Sequence, residues 1–254
     1  MEVLQHYCDQ HHTFGAFSVT NNLGIDKGLH WSVPMVIAIP VLVTLVKIFV
    51  DTQITPFSLQ CHSLVRQFEE LDAQQSLQPR GVLVLGGEHL TAWDQPPSKI
   101  GDQPLLVRAK PGLTPALAAE CFERLVGFYQ PATLVLFLPT AAINQNVSTL
   151  IKVLTDIREL ANYYNVAPQI AIVPPIQTPR DGQAYASFTR FIGELTSRTK
   201  TTPGIAIWPL SDALMSTRGQ VDATLFWPDG KTLYPDGYER LASRLEQQAR
   251  GGPL

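Results

Sequence analysis

Residues 81–93 read GVLVLGGEHLTAW, a short apolar run that ends in two glycines and then turns polar. An apolar run of strand length followed by Gly86 and Gly87 predicts a buried parallel strand that feeds a tight turn into a helix. In open α/β sheets, binding and catalytic residues collect at the carboxyl ends of the strands. We therefore expect this turn to lie at the centre of any functional site.

Strand-like and helix-like segments alternate from this turn to the end of the chain. The predicted strands are residues 82–86, 105–109, 133–138, 170–174 and 205–209. The predicted helices are residues 115–129, 147–164, 182–199 and 235–250. Strands that alternate with helices of about 15 residues form βαβ units, which give a parallel sheet with helices on both faces. The expected fold is a three-layer α/β/α sandwich with about five parallel strands.

The composition fits a globular protein with a sizeable core and argues against one class of partner. The chain has 254 residues, of which 45% are hydrophobic, and a formal net charge of -3. Because no cluster of Lys or Arg departs from this balance, nucleic acid is not an expected partner. Cys8, Cys61 and Cys121 are far apart and lack metal-ligand spacing, so neither a zinc site nor a disulfide framework is indicated. No motif in the sequence predicts a cofactor. Cys61 and Cys121 can still pair in an oxidising compartment.

Residues 31–50 are strongly apolar and carry one charge, on Lys47. About 20 such residues suffice for a helix to cross the hydrocarbon core of a bilayer. Trp31 has the position of an interfacial anchor, Lys47 can extend to the headgroups, and Pro40 is expected to kink the helix. The sequence predicts one transmembrane helix in contact with the lipid bilayer, and the alternative is a buried helix of a soluble protein.

The predicted membrane helix divides the chain into four parts. These are a polar tail at residues 1–30, the transmembrane helix at 31–50, an amphipathic helix (58–73) with a linker at 51–80, and the α/β domain at 81–250. The basic residues flanking the membrane helix are too evenly divided to fix its orientation. Because N-terminally anchored bacterial domains are commonly exported, we expect a bacterial inner-membrane protein with a periplasmic C-terminal domain.

Two segments of the α/β region resemble the SGNH (GDSL-type) hydrolase family. Residues 87–93, GEHLTAW, align without gaps with the family's GDSLTAG-like first block. Residues 225–242, LFWPDGKTLYPDGYERLA, are similar to the last block, commonly written DGxHLTxxGYxxLA. Gly112, in the segment KPGLT, fits the glycine of the second block. The resemblance covers residues 81–247, about two-thirds of the chain, and implies a flavodoxin-like strand order.

The resemblance also implies a catalytic set that this chain mostly lacks. The family uses a serine nucleophile, a histidine base, an aspartate and several oxyanion donors, because a serine hydroxyl attacks only when a base takes its proton. Two family residues are kept, Gly112 and Asp229. Four positions differ: Glu88 for the first-block aspartate, His89 for the serine, Ala141 for the third-block asparagine and Thr232 for the histidine.

Two interpretations of these positions remain open. In the first, His89 acts as a nucleophile or base beside Glu88 and Asp229, and Asn144 replaces the missing oxyanion donor. In the second, Glu88 is a solvated carboxylate at a helix N-terminus and Asp229 belongs to an ordinary turn. Three neighbouring aromatic residues either fill the vacated cleft as core or form a docking surface: Trp93, Phe226 and Trp227.

The sequence as a whole favours a membrane-anchored, catalytically inactive accessory subunit. Its expected partners are other subunits of an integral membrane complex, bound through the transmembrane helix and the N-terminal tail. One alternative is an esterase or O-acetyl hydrolase or transferase that acts on cell-envelope glycan or lipid through a rearranged site. Another is a binding module that keeps the cleft for a carbohydrate or an acyl chain.

Overall fold

The computed structural model describes residues 56–73 and 80–251. The predicted tail, the predicted membrane helix with Trp31, Pro40 and Lys47, and most of the linker lie outside these ranges. In the part of the chain that the structure describes, no helix is both long and apolar enough to cross a membrane.

A six-stranded sheet forms the middle layer of the domain. Its strands are β1 (Val82–Gly86), β2 (Lys99–Ile100), β3 (Gln103–Ala109), β4 (Thr133–Phe137), β5 (Gln169–Val173) and β6 (Ile205–Ile207). The spatial order is β2-β3-β1-β4-β5-β6, and every pair is parallel except β2 with β3. The five parallel strands alone follow the order 2-1-3-4-5, which is the flavodoxin-like order. The predicted parallel sheet is therefore confirmed.

The two edges of the sheet differ from the prediction. Strand β2 was not predicted, because two residues paired antiparallel with the start of β3 are too short to show a hydrophobic period. At the other edge, β6 ends at Ile207 rather than at Pro209. Trp208 still donates its N–H to the carbonyl of Ile172 at 2.8 Å, but Pro209 has no N–H with which to continue the strand.

Side chains on alternate sides of each strand create two separate cores. On β1, Leu83 and Leu85 point into the first core, whereas Val82 and Val84 point into the second. All four side chains are buried. This alternation explains why β1 reads as an unbroken apolar run, since both faces of the strand are covered.

Helices cover both faces of the sheet. Those in the described ranges are α1 (Pro56–Asp72), α2 (Glu88–Thr91), α3 (Pro115–Glu120), α4 (Val147–Tyr163), α5 (Tyr185–Thr199) and α6 (Pro235–Arg250). Helices α1, α3, α4 and α5 contribute to the first core, and α2 and α6 contribute to the second. The predicted three-layer arrangement is confirmed for the described part of the chain.

Two predicted helices are shorter in the structure. The helix predicted over residues 115–129 is divided into α3 and a π-helical segment, Glu123–Gly127. The helix predicted over residues 182–199 begins only at Tyr185, because a 3-10 helix, Pro179–Ala184, precedes it. In both cases the local backbone hydrogen-bonding pattern changes although the apolar spacing continues.

Helix α1 is tied to the rest of the domain by a disulfide and a buried ion pair. Cys61 on α1 is bonded to Cys121 at the end of α3, with 5.6 Å between the Cα atoms. Asp72, at the last turn of α1, pairs with Arg108 on β3, and their side chains are only 8% and 4% exposed. The hydroxyl of Tyr129 donates a further hydrogen bond to Asp72 at 2.6 Å. Helix α1 therefore packs as an integral part of the domain.

Candidate functional site

The turn after β1 depends on the absence of a side chain at Gly86. A Cβ atom there would lie 2.7 Å from Cδ1 of Leu90 and 2.7 Å from Cβ of Phe137 on β4. Both distances are shorter than van der Waals contact, so glycine lets α2 begin against the sheet. Lys110, just beyond β3, donates its N–H to the carbonyl of Gly86 at 3.1 Å. The turn is thus held against the carboxyl end of the neighbouring strand.

Helix α2 is a single turn that carries the first two site residues. Gly87 is its N-cap, and the hydroxyl of Thr91 donates to the carbonyl of Gly87 at 2.9 Å. Glu88 is exposed in the first turn, where a carboxylate is favoured by the free N–H groups of the helix N-terminus. His89 follows it and is half-buried.

The pKa of His89 is lowered from its ordinary value of 6.5, mainly because burial disfavours the charged imidazole. The carboxylates of Glu88 and Asp181 act in the opposite direction, and the ammonium group of Lys231 adds to the lowering. The imidazole is therefore neutral at pH 7. A neutral imidazole can accept a proton or attack an electrophile, so its surroundings decide what it does.

The last block folds into a tight loop that leads into α6. Trp227 donates its N–H to the carbonyl of Thr232 at 2.7 Å, and Gly230 donates to the carbonyl of Trp227 at 2.8 Å. Gly237 lies where a Cβ atom would be only 2.8 Å from Cδ2 of Leu233. These two glycines, which carry part of the family resemblance, therefore serve the turn and the packing of the loop.

The carboxylate of Asp229 is occupied by its own turn. Its Oδ1 accepts from the N–H groups of Lys231 and Thr232 at 2.8 and 2.9 Å, and its Oδ2 accepts from the hydroxyl of Thr232 at 2.6 Å. These hydrogen bonds, that of the Thr232 hydroxyl above all, lower the pKa of Asp229 to about 2. Within the described ranges no hydrogen bond joins Asp229 to His89.

Tyr238, in the first half of α6, connects the last block to the first. Its hydroxyl donates to the carbonyl of His89 at 2.7 Å, and its ring stacks on Trp93 with 5.5 Å between the centroids. Burial, with a smaller effect of Asp94, raises the pKa of Tyr238 to about 12. The phenol is therefore a hydrogen-bond donor at neutral pH, and it fixes the first-block turn against α6.

A cavity of about 190 Å³ lies where the two blocks meet. Its lining residues are Glu88, His89, Ala92, Thr140, Thr178, Asp181, Asp229, Lys231, Thr232 and Tyr238. It lies beyond the carboxyl ends of β1, β4 and β5, where a doubly wound sheet is expected to place its site. Among the described residues, no three His, Cys, Asp or Glu side chains are grouped so that they could hold a metal ion.

Four of the six predicted site positions line the cavity, namely Glu88, His89, Asp229 and Thr232. Gly112 and Ala141 are not among its lining residues. Gly112 lies in the exposed turn after β3 with a φ of +83°, and its nitrogen is 3.9 Å from the place of a Cβ on Gly87. Ala141 is exposed on the 3-10 helix Thr140–Asn144, and Asn144 at the end of that helix does not line the cavity either.

Two charged residues line the cavity although no motif assigned them to it. Asp181 forms a capping box with Thr178, whose hydroxyl and N–H donate to the Asp181 carboxylate at 2.7 and 3.0 Å. The spacing T-x-x-D in the segment TPRD, residues 178–181, is the local signal that predicts such a box. Lys231 shows no such signal, and it reaches the cavity through the turn that Asp229 organises.

The three aromatic residues near the site have different environments. Trp93 and Phe226 are buried and belong to the second core. Trp227 is 48% exposed, and its ring lies against Tyr234 with 4.3 Å between the centroids. The core interpretation is thus correct for Trp93 and Phe226, whereas Trp227 remains at the surface.

Solved structures with this fold include several bacterial proteins. A GDSL-like lipase from Bacteroides thetaiotaomicron has a TM-score of 0.58 and 13% identity, covering 74% of this chain and 97% of its own. A candidate acylhydrolase from Bacteroides fragilis has a TM-score of 0.58 and 15% identity, covering 73% and 95%. A candidate platelet activating factor from Streptococcus pneumonia has a TM-score of 0.58 and 16% identity, covering 80% and 98%. No family model matches the sequence, and neither does any curated protein.

Structural likeness at identities this low shows the fold alone and leaves the activity to be argued from the site. The structural matches extend over nearly the whole length of each similar protein. The resemblance predicted from the first and last blocks is therefore confirmed at the level of architecture, and the chain has the α/β fold of the GDSL-type lipolytic hydrolases.

Proposed function

We propose that this chain is a membrane-anchored protein whose α/β domain does not hydrolyse esters and acts as an accessory subunit of a membrane complex. One observation carries the proposal. The cavity at the expected position of the site holds His89 where the fold family has its serine, beside an Asp229 carboxylate whose oxygens are engaged by its own turn.

The hydroxyl groups of the cavity are poorly suited to replace the missing serine. Among the described lining residues there is no serine or cysteine. The hydroxyl of Thr178 donates to Asp181 at 2.7 Å, and that of Thr232 donates to Asp229 at 2.6 Å. These two threonine hydroxyls thus already have a carboxylate acceptor within their own turns, whereas an activated nucleophile needs a base that can remove its proton and pass it on.

The side-chain oxyanion donor that the fold family uses is also missing. Ala141, at the position of the family's asparagine, has no polar group to offer, and the amide of Asn144 lies outside the cavity lining. Loss of one such donor alone costs roughly 100-fold to 1000-fold in kcat. The missing donor, together with the missing serine and histidine base, supports a domain that keeps the fold without the catalytic activity.

The disulfide supports placing the domain outside the cytoplasm. Bonds such as Cys61–Cys121 persist in oxidising compartments and are rare in the cytosol. Together with the apolar residues 31–50, this supports a single-pass protein of the bacterial inner membrane with its α/β domain in the periplasm. The tail at residues 1–30 and the membrane helix are then the parts available to neighbouring subunits.

Co-purification tests the accessory role. The tagged full chain, extracted from its native membrane in a mild detergent, is expected to bring down a stoichiometric partner. A matched variant carries an apolar leucine-alanine helix in place of residues 31–50; it keeps membrane insertion but changes the helix surface that partners pack against. We expect this variant to lose the partner. A native chain that runs as a lone monomer would refute the accessory role.

A rearranged active site is the second candidate, because the neutral imidazole of His89 lies in one cavity with the carboxylates of Glu88 and Asp181. An ester-hydrolysis assay on the full chain separates the two candidates. We expect no turnover of p-nitrophenyl butyrate or of an acetylated oligosaccharide above the rate with free imidazole. Turnover that His89→Ala abolishes, and that the matched control His62→Ala on α1 leaves unchanged, would establish an enzyme instead.

A further inference from the structure

A groove of about 840 Å³ lies next to the cavity and shares Ala92, Thr232 and Tyr238 with it. Its walls come from residues 92–97 after α2, from the last-block loop and from the first half of α6. This volume is within the range of about 300–1,000 Å³ that is usual for ligand sites. The groove and the cavity are thus adjacent and share part of their lining.

Trp227 provides the groove with an exposed aromatic ring. It is 48% exposed, although Phe226 beside it in the chain is buried. The position of Trp227 is fixed, because its N–H and its carbonyl both make backbone hydrogen bonds within the last-block loop and its ring lies against Tyr234. A large ring held partly in water forgoes about 25 cal/mol of stabilisation for each Å² left exposed. A rigid exposed tryptophan in a groove is well suited to stack on a flat ligand surface.

The polar groups of the groove are acidic or neutral. Asp94 and Glu239 bring carboxylates, and Gln95 and Ser243 bring an amide and a hydroxyl. Among the described residues that line the groove there is no Lys or Arg. In the adjoining cavity, Lys231 stands against three carboxylates: Glu88, Asp181 and Asp229. The side chains that line the groove and the cavity therefore include five carboxylates and one ammonium group, and their net charge is negative.

We propose that this groove binds a neutral glycan chain, with one sugar ring stacked on Trp227 and its hydroxyl groups donating to Asp94 and Glu239. Sugar rings combine flat C–H faces with many O–H donors, which suits an aromatic ring bordered by carboxylates. Hydrogen bonds to ionised acceptors are about twice as strong as those between neutral groups. The proposal goes beyond the accessory role and stands independently of it.

The same groups argue against other ligands. A phosphate-bearing lipid headgroup or a nucleic acid would meet the carboxylates with no Lys or Arg among the described groove residues to pair with. An acyl chain would bury those carboxylates against hydrocarbon, which is costly without compensating hydrogen bonds. A cationic peptide satisfies the charge but makes no particular use of a flat aromatic ring.

Calorimetric titration tests the proposal on the full chain in lipid nanodiscs, which avoid the sugar headgroups of glycosidic detergents. The probes are cellohexaose and chitohexaose, and we expect at least one of them to bind. Trp227→Ala should weaken binding at least tenfold, which corresponds to about 1.4 kcal/mol, whereas Trp227→Phe should keep most of it. Glu239→Gln is a second variant that keeps the shape of the groove, and it should also weaken binding.

The matched control is Tyr163→Ala, which removes another exposed aromatic ring, at the end of α4. It should bind as the native chain does, and circular dichroism should show folded protein for every variant compared. Absence of binding by both oligosaccharides would overturn the proposal, and so would unchanged affinity in both Trp227→Ala and Glu239→Gln. Tighter binding of hexalysine than of either glycan would also overturn it and would assign the groove to a cationic peptide. Partner recovery is scored separately, so the two proposals fail independently.

Discussion

His89 and Asp229 line the same cavity, yet each is tied to a different part of the fold. The carbonyl of His89 accepts the hydroxyl of Tyr238 on α6, and the carboxylate of Asp229 accepts three hydrogen bonds from within its own loop. A catalytic pair would instead direct the carboxylate at the imidazole, as an aspartate does when it orients a histidine base. At the residue scale, this arrangement is the observation on which the proposed loss of catalysis rests.

Replacing Asp229 should make the stability of the folded chain depend less on pH in the acidic range. Its pKa is about 2 in the folded chain, against an ordinary value of 3.8. Because the folded value is the lower one, the carboxylate contributes stability above about pH 4, and this contribution is lost as the pH falls towards 2. Asp229→Asn should therefore be less stable than the native chain at pH 7, and the difference should narrow between pH 4 and pH 2.

Thermal unfolding followed by circular dichroism from pH 2 to pH 7 measures this effect. Asp102→Asn, at an exposed position in the turn between β2 and β3, is the matched control and should change little at any pH. The thermal midpoints of Asp229→Asn and of the native chain are compared at each pH. A difference that stays constant from pH 2 to pH 7 would contradict the lowered pKa of Asp229.

The sequence predicted Asp229 and His89 as candidate site positions and offered an ordinary turn as one interpretation of Asp229, but it did not reveal the contact that His89 makes with Tyr238. Pro-Asp-Gly is a local turn signal, and the hydrogen bonds within the Asp229 turn are local as well. The contact between Tyr238 and His89 joins residues that are 149 positions apart. No local pattern encodes such a contact, because it arises only when α6 packs beside the first-block turn.

At the scale of elements, α1 offers a direct comparison between a buried and an exposed ion pair. The Asp72–Arg108 pair is buried, whereas both partners of the Glu69–Arg124 pair are more than half exposed. Asp72→Ala should cost about 3–5 kcal/mol, because it removes the carboxylate that pairs with a buried guanidinium. Glu69→Ala, on the same helix, should cost about 0–1 kcal/mol. Urea unfolding of the two variants provides the comparison, and equal losses would contradict it.

The disulfide should contribute about as much stability as the buried Asp72–Arg108 pair and more than the exposed Glu69–Arg124 pair. It closes a loop with a sequence separation of 60, for which the chain-entropy estimate gives roughly 4 kcal/mol. The double replacement of Cys61 and Cys121 by serine should therefore lower the thermal midpoint strongly. Cys8→Ser is the matched control and should leave the midpoint unchanged. Mass spectrometry after alkylation without a reductant should find Cys61 and Cys121 protected, and free thiols at both would disprove the bond.

Helices and strands were predictable wherever the spacing of apolar residues stayed regular over enough residues. Strand β1 and helix α6 have the predicted bounds, because an unbroken apolar run and an N-terminal proline define them locally. The edge strand β2 has only two residues, so it depends on its antiparallel partner rather than on its own pattern. The π-helical segment after α3 interrupts a helix whose apolar spacing continues, and no sequence signal marked the change.

At the scale of the whole molecule, both the membrane anchor and the orientation it would give the domain are predictions. Alkaline phosphatase, which folds actively only where disulfides form, is to be fused after Leu254 of the full chain. We expect an active fusion in bacterial cells. The matched control joins green fluorescent protein at the same site and should stay dark after export. If the green fluorescent protein fusion is fluorescent and the alkaline phosphatase fusion is inactive, the C-terminal domain lies in the cytoplasm and the periplasmic prediction is wrong.

The short strands at both edges of the sheet limit how another protein can attach. Strand β2 has two residues and follows Pro96 and Pro97, and β6 has three residues and is followed closely by Pro209. Strands this short present few free N–H and C=O groups, so β2 and β6 are poor templates for strands of other chains. Both strands therefore limit edge-to-edge aggregation through themselves at high local concentration. A partner that adds an extended peptide alongside β2 or β6 can form few backbone hydrogen bonds there. We therefore expect partners to bind the domain through its helices and loops.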